Sequence, residues 1–299
     1  MNMHQNRKEG MRISLILCSI NTQKRVPELH RLLDSLLLQV HKNFEVVFVD
    51  QNDVFDVHKI LEGYSDQLDI VYIRSKPGLS TSRNVGLTHA KGEIVGFPDD
   101  DCWYKPNTLE TVNRFFQSKH KYTFFHGKGS DEYGRDMARF KDGKLECSLY
   151  NIFQCSVSCG IFGDLKTVRS INGFDDRLGL GAKTRWTGCE DYELPIRAIK
   201  SGYKIFFDSA FVVHHPYIYK EINDALISRA KEQSPSYGAV LKMHNYPIWF
   251  KTYTLLRPMA GAALAFLSFR RKKGAYHLAV FLGRAEGMKN CDLIPINEK

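Results

Sequence analysis

The sequence predicts an α/β fold, a mostly parallel sheet flanked by helices and followed by a helical C-terminal extension. Three observations predict it. Apolar runs of strand length recur along the first two thirds of the chain, one-faced helical patterns separate them, and acidic clusters stand where strands end. Strands that alternate with helices need crossover connections, which make neighbouring strands parallel and cover both faces of the sheet.

The elements follow in order. ISLILC (13–18) is a continuous apolar run, as expected of a strand buried on both faces. Leu29, Leu32, Leu33, Leu36 and Leu37 then fall at i, i+3, i+4, i+7 and i+8, with Pro27 suited to a first helical turn. FEVVFVD (44–50) reads as a second buried strand, IVYIRS (70–75) as a third, residues 80–90 as a helix, and EIVGFPDDD as a fourth strand ending in acids. Tyr192 to Ser201 have a helical pattern closed by Gly202, a good residue just past a helix end, and IFFDSAFVV is a further strand that delivers His214 and His215 to its end.

At 299 residues and 43% hydrophobic content the chain is long enough for a sizeable core. Its seven cysteines are odd in number, contain no CxxC pair and mostly sit inside apolar runs, so the expectation is reduced thiols in the cytoplasm. Residues 1–10 are a polar leader without the apolar stretch of a signal peptide. The net charge of +9 is concentrated late: residues 217–299 carry 13 Lys and Arg against 6 Asp and Glu. Such an excess suits nucleic acid or an anionic membrane surface.

In an open parallel sheet, ligands bind beyond the carboxyl ends of the strands. Ser19 to Thr22, Asp50 to Asp53 and Asp99 to Asp101 therefore share one rim. Three adjacent carboxylates repel one another, and a divalent cation or hydrogen-bond donors must offset that repulsion. Acids from two strands near Arg83 suit a metal-bound phosphate ligand, because Mg²⁺ or Mn²⁺ takes carboxylate oxygens on one side and phosphate oxygens on the other. Acids at strand ends also serve as turn formers and helix caps. Glu190 and Asp191 begin a helix, whose dipole keeps a carboxylate ionised; Asp191 is thus either a general base or one of an acidic capping pair.

Five stretches together resemble the inverting family 2 glycosyltransferases: ISLILCSINT, FVDQND, LSTSRNVGLTHAKGEIVGFPDDD, GCEDYELPIRAIKSGY and FVVHHP. The resemblance covers about residues 11–216 and implies a GT-A type, Rossmann-like catalytic domain, with 217–299 as a separate helical, basic region. It implies a nucleotide-sugar donor, a UDP-sugar first, and a glycan or polyprenyl-phosphate-linked acceptor in bacterial polysaccharide or cell-envelope synthesis. Asp99 and Asp101, with His215, would hold Mn²⁺ or Mg²⁺, and His215 matches the family position better than His214. Asp100 would touch donor sugar hydroxyls, Ser19 and Asp50 would lie along the nucleoside, and Arg83 would stand near the base or diphosphate. Asp191 would be the catalytic base, with Glu190 orienting the acceptor. The pair Asp50-Gln51 departs from the two acids common at that place in the family, which leaves dTDP and GDP donors open. Trp103 and Trp186 flank the acidic elements and would either stack on a sugar ring or pack internally.

PMAGAALAFLSF (258–269) is an apolar run of 12 residues followed directly by RRKK. Spanning a bilayer takes about 20 apolar residues, so the run suits an interfacial helix on anionic lipid, or a buried helix beside a solvated charge run. The expected location is cytoplasmic, peripheral on the inner face of the membrane; nucleic acid has no recognition motif here. Two rival functions remain: another Mg²⁺-dependent phosphate enzyme such as a nucleotidyltransferase, and a non-catalytic module recruited to membrane.

Overall fold

The computed structural model describes residues 10–118, 121–217 and 221–291, so the expected leader falls outside the described residues except for Gly10. The chain divides into two compact units. The first comprises residues up to 77, 81–173 and 197–217; the second comprises 78–80, 174–196 and 218 onward. The sequence suggested one catalytic stretch, 11–216. Residues 174–196, which carry Glu190 and Asp191, cluster in the second unit together with residues 218 onward.

The first unit is an eight-stranded sheet in the order β3-β2-β1-β4-β7-β5-β8-β6. Its strands are β1 (Ile13–Ser19), β2 (Phe44–Asp50), β3 (Ile70–Arg74), β4 (Ile94–Gly96), β5 (Tyr122–Ser130), β6 (Lys144–Glu146), β7 (Ile161–Asp164) and β8 (Lys204–His214). Every residue of β1 and β2 is buried, as their unbroken apolar runs require of central parallel strands. β1 to β4 are mutually parallel, β7 runs antiparallel between β4 and β5, and β8 is parallel to β5. The C-terminal ends of β1, β2, β3, β4, β5 and β8 therefore lie along one edge.

Helix α1 (Val26–Leu37) starts with Pro27 in its first turn and buries Leu29, Leu32, Leu33 and Leu36. These leucines join Leu15, Leu17, Val46 and Phe48 in one core cluster. Burying each leucine contributes on the order of 1.5–3 kcal/mol. Three further helices, α2 (His58–Glu62), α4 (Thr108–Gln117) and α5 (Leu165–Ser170), lie wholly in this unit, while α3 (Leu79–His89) and α6 (Glu190–Lys200) belong to both by sequence. The α6 helix starts two residues before the expected Tyr192, and Gly202 beyond its end has φ +86°, where a side chain would be strained. The second unit holds α7 (Asp224–Met243), α8 (Ile248–Leu267) and α9 (Arg271–Asn290).

Candidate active site

Register places the rim. Ser19 pairs with Asp50 across β1 and β2, Asp50 pairs with Arg74 across β2 and β3, and an isolated parallel bridge joins Cys18 to Asp99. Three strand ends thus present their polar residues side by side, and the chain after β4 turns there through Asp99, Asp100 and Asp101.

Each acid has different partners. The two oxygens of Asp99 accept from Arg83 Nη2 at 3.1 Å and from Ser158 Oγ at 2.9 Å. Arg83 is 1% exposed, so its charge is dehydrated and held against Asp99 at low effective dielectric. Asp100 turns into the protein: Ser19 Oγ donates to it at 2.6 Å and Arg25 Nη1 at 2.7 Å. Burial pushes the Asp100 carboxyl upward, and the hydroxyl and guanidinium offset only part of that. Asp101 Oδ1 lies 3.0 Å from His215 Nε2, and the Asp101 carbonyl accepts from Arg31 Nη2 at 2.8 Å. Burial opposes ionisation of Asp101, but His215 and Arg25 outweigh it and hold its carboxyl low; reciprocally, Asp101 outweighs the burial of His215 and holds the imidazole high.

Asp50 is 2% exposed, and its carboxylate accepts from Asn52 N and Nδ2 at 2.8 and 2.6 Å and from Tyr72 Oη at 2.6 Å. Burial, with Asp50 beside it, pushes the Tyr72 phenol up to about 12. Gln51 N donates to Ser19 O at 3.0 Å, which ties the two strand ends together.

His214 and His215 separate by role. His214 stacks on Trp103 with ring centroids 5.3 Å apart, and the two residues exchange both backbone hydrogen bonds. The Arg31 guanidinium sits 3.9 Å from the Trp103 ring centroid, so this indole is engaged by a cation and an imidazole. His215, anchored by its own N–H to Ser130 O, faces Asp101.

A metal must be met by its donors. Among the described residues no group of three or more His, Cys, Asp or Glu side chains is spaced to share an ion. Asp99, expected to join Asp101 as a ligand, is occupied by Arg83 and Ser158. The pair Asp101 and His215 does fit by chemistry: Asp101 Oδ1 and His215 Nε2 face each other at 3.0 Å, and carboxylate with imidazole suits Mn²⁺.

In the second unit, Cys189 adopts the left-handed conformation (φ 69°), and its carbonyl accepts from Tyr192 N and Glu193 N, closing the start of α6. Glu190 is buried and Asp191 is half-buried in that first turn. Trp186, expected either to stack on a sugar or to pack internally, is 1% exposed. Of the two expectations, that burial favours internal packing.

Residue patterns alone missed Arg25, Arg31 and Ser158. Lys24 and Arg25 follow a strand end just before Pro27, and that position on the rim loop was the available signal for Arg25.

The model for "Glycosyl transferase family 2" matches residues 14–157. Residues 14–157, just under half of the chain, are thus similar to the family 2 glycosyltransferases. A Haemophilus influenzae protein described as "Uncharacterized glycosyltransferase" is 32% identical over 115 residues, 38% of this chain and 37% of that protein. Poly(ribitol-phosphate) beta-N-acetylglucosaminyltransferase TarS of Staphylococcus aureus is 31% identical over 147 residues, 47% of this chain and 25% of TarS. The chain thus matches well under two thirds of the length of these relatives. The structure of S. aureus TarS 1–349 superposes with TM-score 0.59 at 19% identity, covering 92% of each chain. A Pyrobaculum calidifontis mannosyltransferase in complex with GDP-Man and Mn²⁺ gives TM-score 0.61 at 16% identity, covering 93% of this chain and 88% of that one. Likeness at such identities establishes the GT-A fold and the mostly parallel sheet that the sequence predicted.

Proposed function

We propose that this chain is a family 2 glycosyltransferase that moves a sugar from a nucleoside-diphosphate sugar, a UDP-sugar first, to a hydroxyl of a glycan or polyprenyl-phosphate-linked acceptor, with inversion. The observation that carries the reading is the convergence of Ser19, Asp50, Asp99 to Asp101 and His215 on one sheet rim within a family 2 domain. The TarS structures include complexes with UDP and UDP-GlcNAc, which favours UDP among the donors.

In this reading Asp191 accepts the proton of the acceptor hydroxyl, whose oxygen attacks the anomeric carbon from the face opposite the nucleotide. The nucleoside diphosphate leaves with the bonding pair. Glu190 orients the acceptor. Asp50 and Ser19 lie along the nucleoside, and Arg83 holds Asp99 in place beside the diphosphate. Asp101 and His215 would hold Mn²⁺ or Mg²⁺, which supplies positive charge to the departing diphosphate when bound.

The test is a thermal-shift screen of nucleotide sugars with the purified full chain and Mn²⁺, followed by product analysis. A donor that binds the native state raises the unfolding temperature with saturation. Release of nucleoside diphosphate supports transfer; release of pyrophosphate would instead identify a nucleotidyltransferase. Absence of any donor shift would favour a non-catalytic module.

A further inference from the structure

Helix α8 is inside out. The residues it buries include small or compact ones, Thr254, Pro258, Ala262 and Ala265, beside Phe250. The large apolar residues point to solvent: Ile248 is 78% exposed, Leu264 67% and Leu267 77%, with Trp249 and Leu256 also exposed, and Phe269 just beyond the helix is 89% exposed. A helix at home in water buries its large apolar residues and exposes small or polar ones.

The partner helices show why the inversion is stable. The buried positions of α9 are Gly274, Ala279, Gly283 and Gly287. A Cβ added at Gly287 would collide with the backbone of Pro235, and one at Gly238 with the Arg284 carbonyl. α7 and α9 therefore pack backbone to backbone through glycine, the packing logic of helices in lipid, where apolar solvent gives no incentive to bury large side chains. Between them a groove of about 420 Å³ is lined by Ile227, Phe266, Leu278 and Leu282, with Lys231 and Glu286 among its polar residues.

Charge identifies the partner. From Ile248 to Cys291 the chain has eight Lys and Arg and one acid, Glu286. Arg270 to Lys273 are all exposed at the turn between α8 and α9. Three of them begin α9, where the positive end of the helix dipole makes cations unfavourable. Lys272 reaches the exposed Asp224 at 3.3 Å, while Arg270, Arg271 and Lys273 have no acidic partner among the described residues. No described helix is long and apolar enough to cross a membrane.

We propose that the outward face of α8, with the basic turn after it, docks on an anionic lipid bilayer, the helix lying in the headgroup plane and its large apolar side chains entering the acyl region. The apolar side chains supply insertion and the four cations supply selectivity for anionic headgroups. This reading stands apart from the sugar-transfer assignment, and vesicle binding needs neither donor nor metal.

The experiment uses the full chain and vesicles of phosphatidylcholine with and without phosphatidylglycerol. Sedimentation with the anionic vesicles, weakened by salt, is expected, together with a blue shift of Trp249 emission and its quenching by brominated acyl chains. The Trp249→Phe variant should lose the quenching yet still sediment. Changing Arg270, Arg271, Lys272 and Lys273 to Gln should lower partitioning by about 100-fold or more, at roughly a factor of five for each charge. Equal partitioning to neutral and anionic vesicles, or Trp249 unquenched in bound protein, would overturn the proposal. So would a salt-independent dimer that shields Trp249 and ignores vesicles, since a second copy would then be the occupant.

Discussion

The rim of the sheet and the face of α8 reverse each other's chemistry. At the rim, charges are buried: Asp50, Asp100, Arg83 and His215 are each under 9% exposed and each has a specific partner. On α8 it is large apolar groups that are exposed. Both arrangements cost stability in water, the first through desolvation and the second through lost burial. Protein groups already offset the cost at the rim, His215 against Asp101 among them. On α8 the proposed offset is a lipid surface.

The largest effects should come from breaking the acidic elements. Asp191→Asn nearly preserves shape but removes the proton acceptor, so turnover should fall by roughly 100-fold or more, while the donor-induced thermal shift persists. Asp101→Asn should instead abolish the Mn²⁺-dependent part of that shift, measured with and without the ion. Normal turnover in Asp191→Asn would reduce that residue to a helix cap and direct attention to Glu190.

A second test separates the rim, where buried polar groups are paired, from the interior of the same unit, where one is not. His126 in β5 gives Nδ1 to the Cys155 carbonyl at 3.0 Å, while its buried Nε2 has no hydrogen bond. Burial pushes its pKa from 6.5 down to about 4. The unfolded chain therefore takes up a proton near pH 6.5 that the native state refuses until about pH 4, and acid favours unfolding in between. Stability should be level above that window and fall by about 3 kcal/mol across it. Denaturant titrations should show a shallower fall in His126→Leu; an identical slope would mean that other groups cause the acid sensitivity.

Much of the first unit was legible because β1, β2 and α1 write their burial into period and composition. Residues 121–164 were not: β5 mixes His126, Lys128 and three phenylalanine or tyrosine residues with two glycines, and the antiparallel β7 is only four residues long. Asp99 to Asp101 were legible as a cluster, but their division of labour was not. Which acid meets Arg25, Arg83 or His215 depends on where α1, α3 and β8 end in space. Trp186 was left between two readings because an aromatic beside an acidic element has the same sequence signature inside a core as on a surface. The apolar run 258–269 was visible, yet when a helix is apolar on both faces its period cannot say which face turns inward. Gly261 helps to answer that question, because an added Cβ there would meet His277 of α9, and that contact shows only once α8 and α9 are placed together.

The glycine contact between α7 and α9 can be broken directly. Gly287→Ala gains helix propensity of about 1 kcal/mol, but its methyl group would meet the backbone of Pro235 and stand 2.7 Å from Ala239 N. Backbone atoms cannot move aside without separating the helices, so a net loss of about 1–3 kcal/mol is expected in unfolding experiments. No loss would mean that α7 and α9 have room to spare and that the glycines carry no packing constraint.

The smallest effect is the most telling one. Replacing Leu264 and Leu267 by Gln removes two large apolar side chains from a helix, which in an ordinary core would cost several kcal/mol. Here both are more than half exposed and bury little within the chain, so in buffer the double variant should unfold within about 0.5 kcal/mol of the parent, as exposed sites generally do. Inward Ala262→Leu, by contrast, should destabilise by about 1–3 kcal/mol through overpacking. The two substitutions reverse the usual rule: the change that removes apolar bulk is silent, and the one that adds it is harmful. If the double Gln variant instead lost several kcal/mol in buffer without lipid, the outward leucines would already be buried against something in the isolated protein, a second copy first of all, and the contrast between the rim and the helix face would collapse.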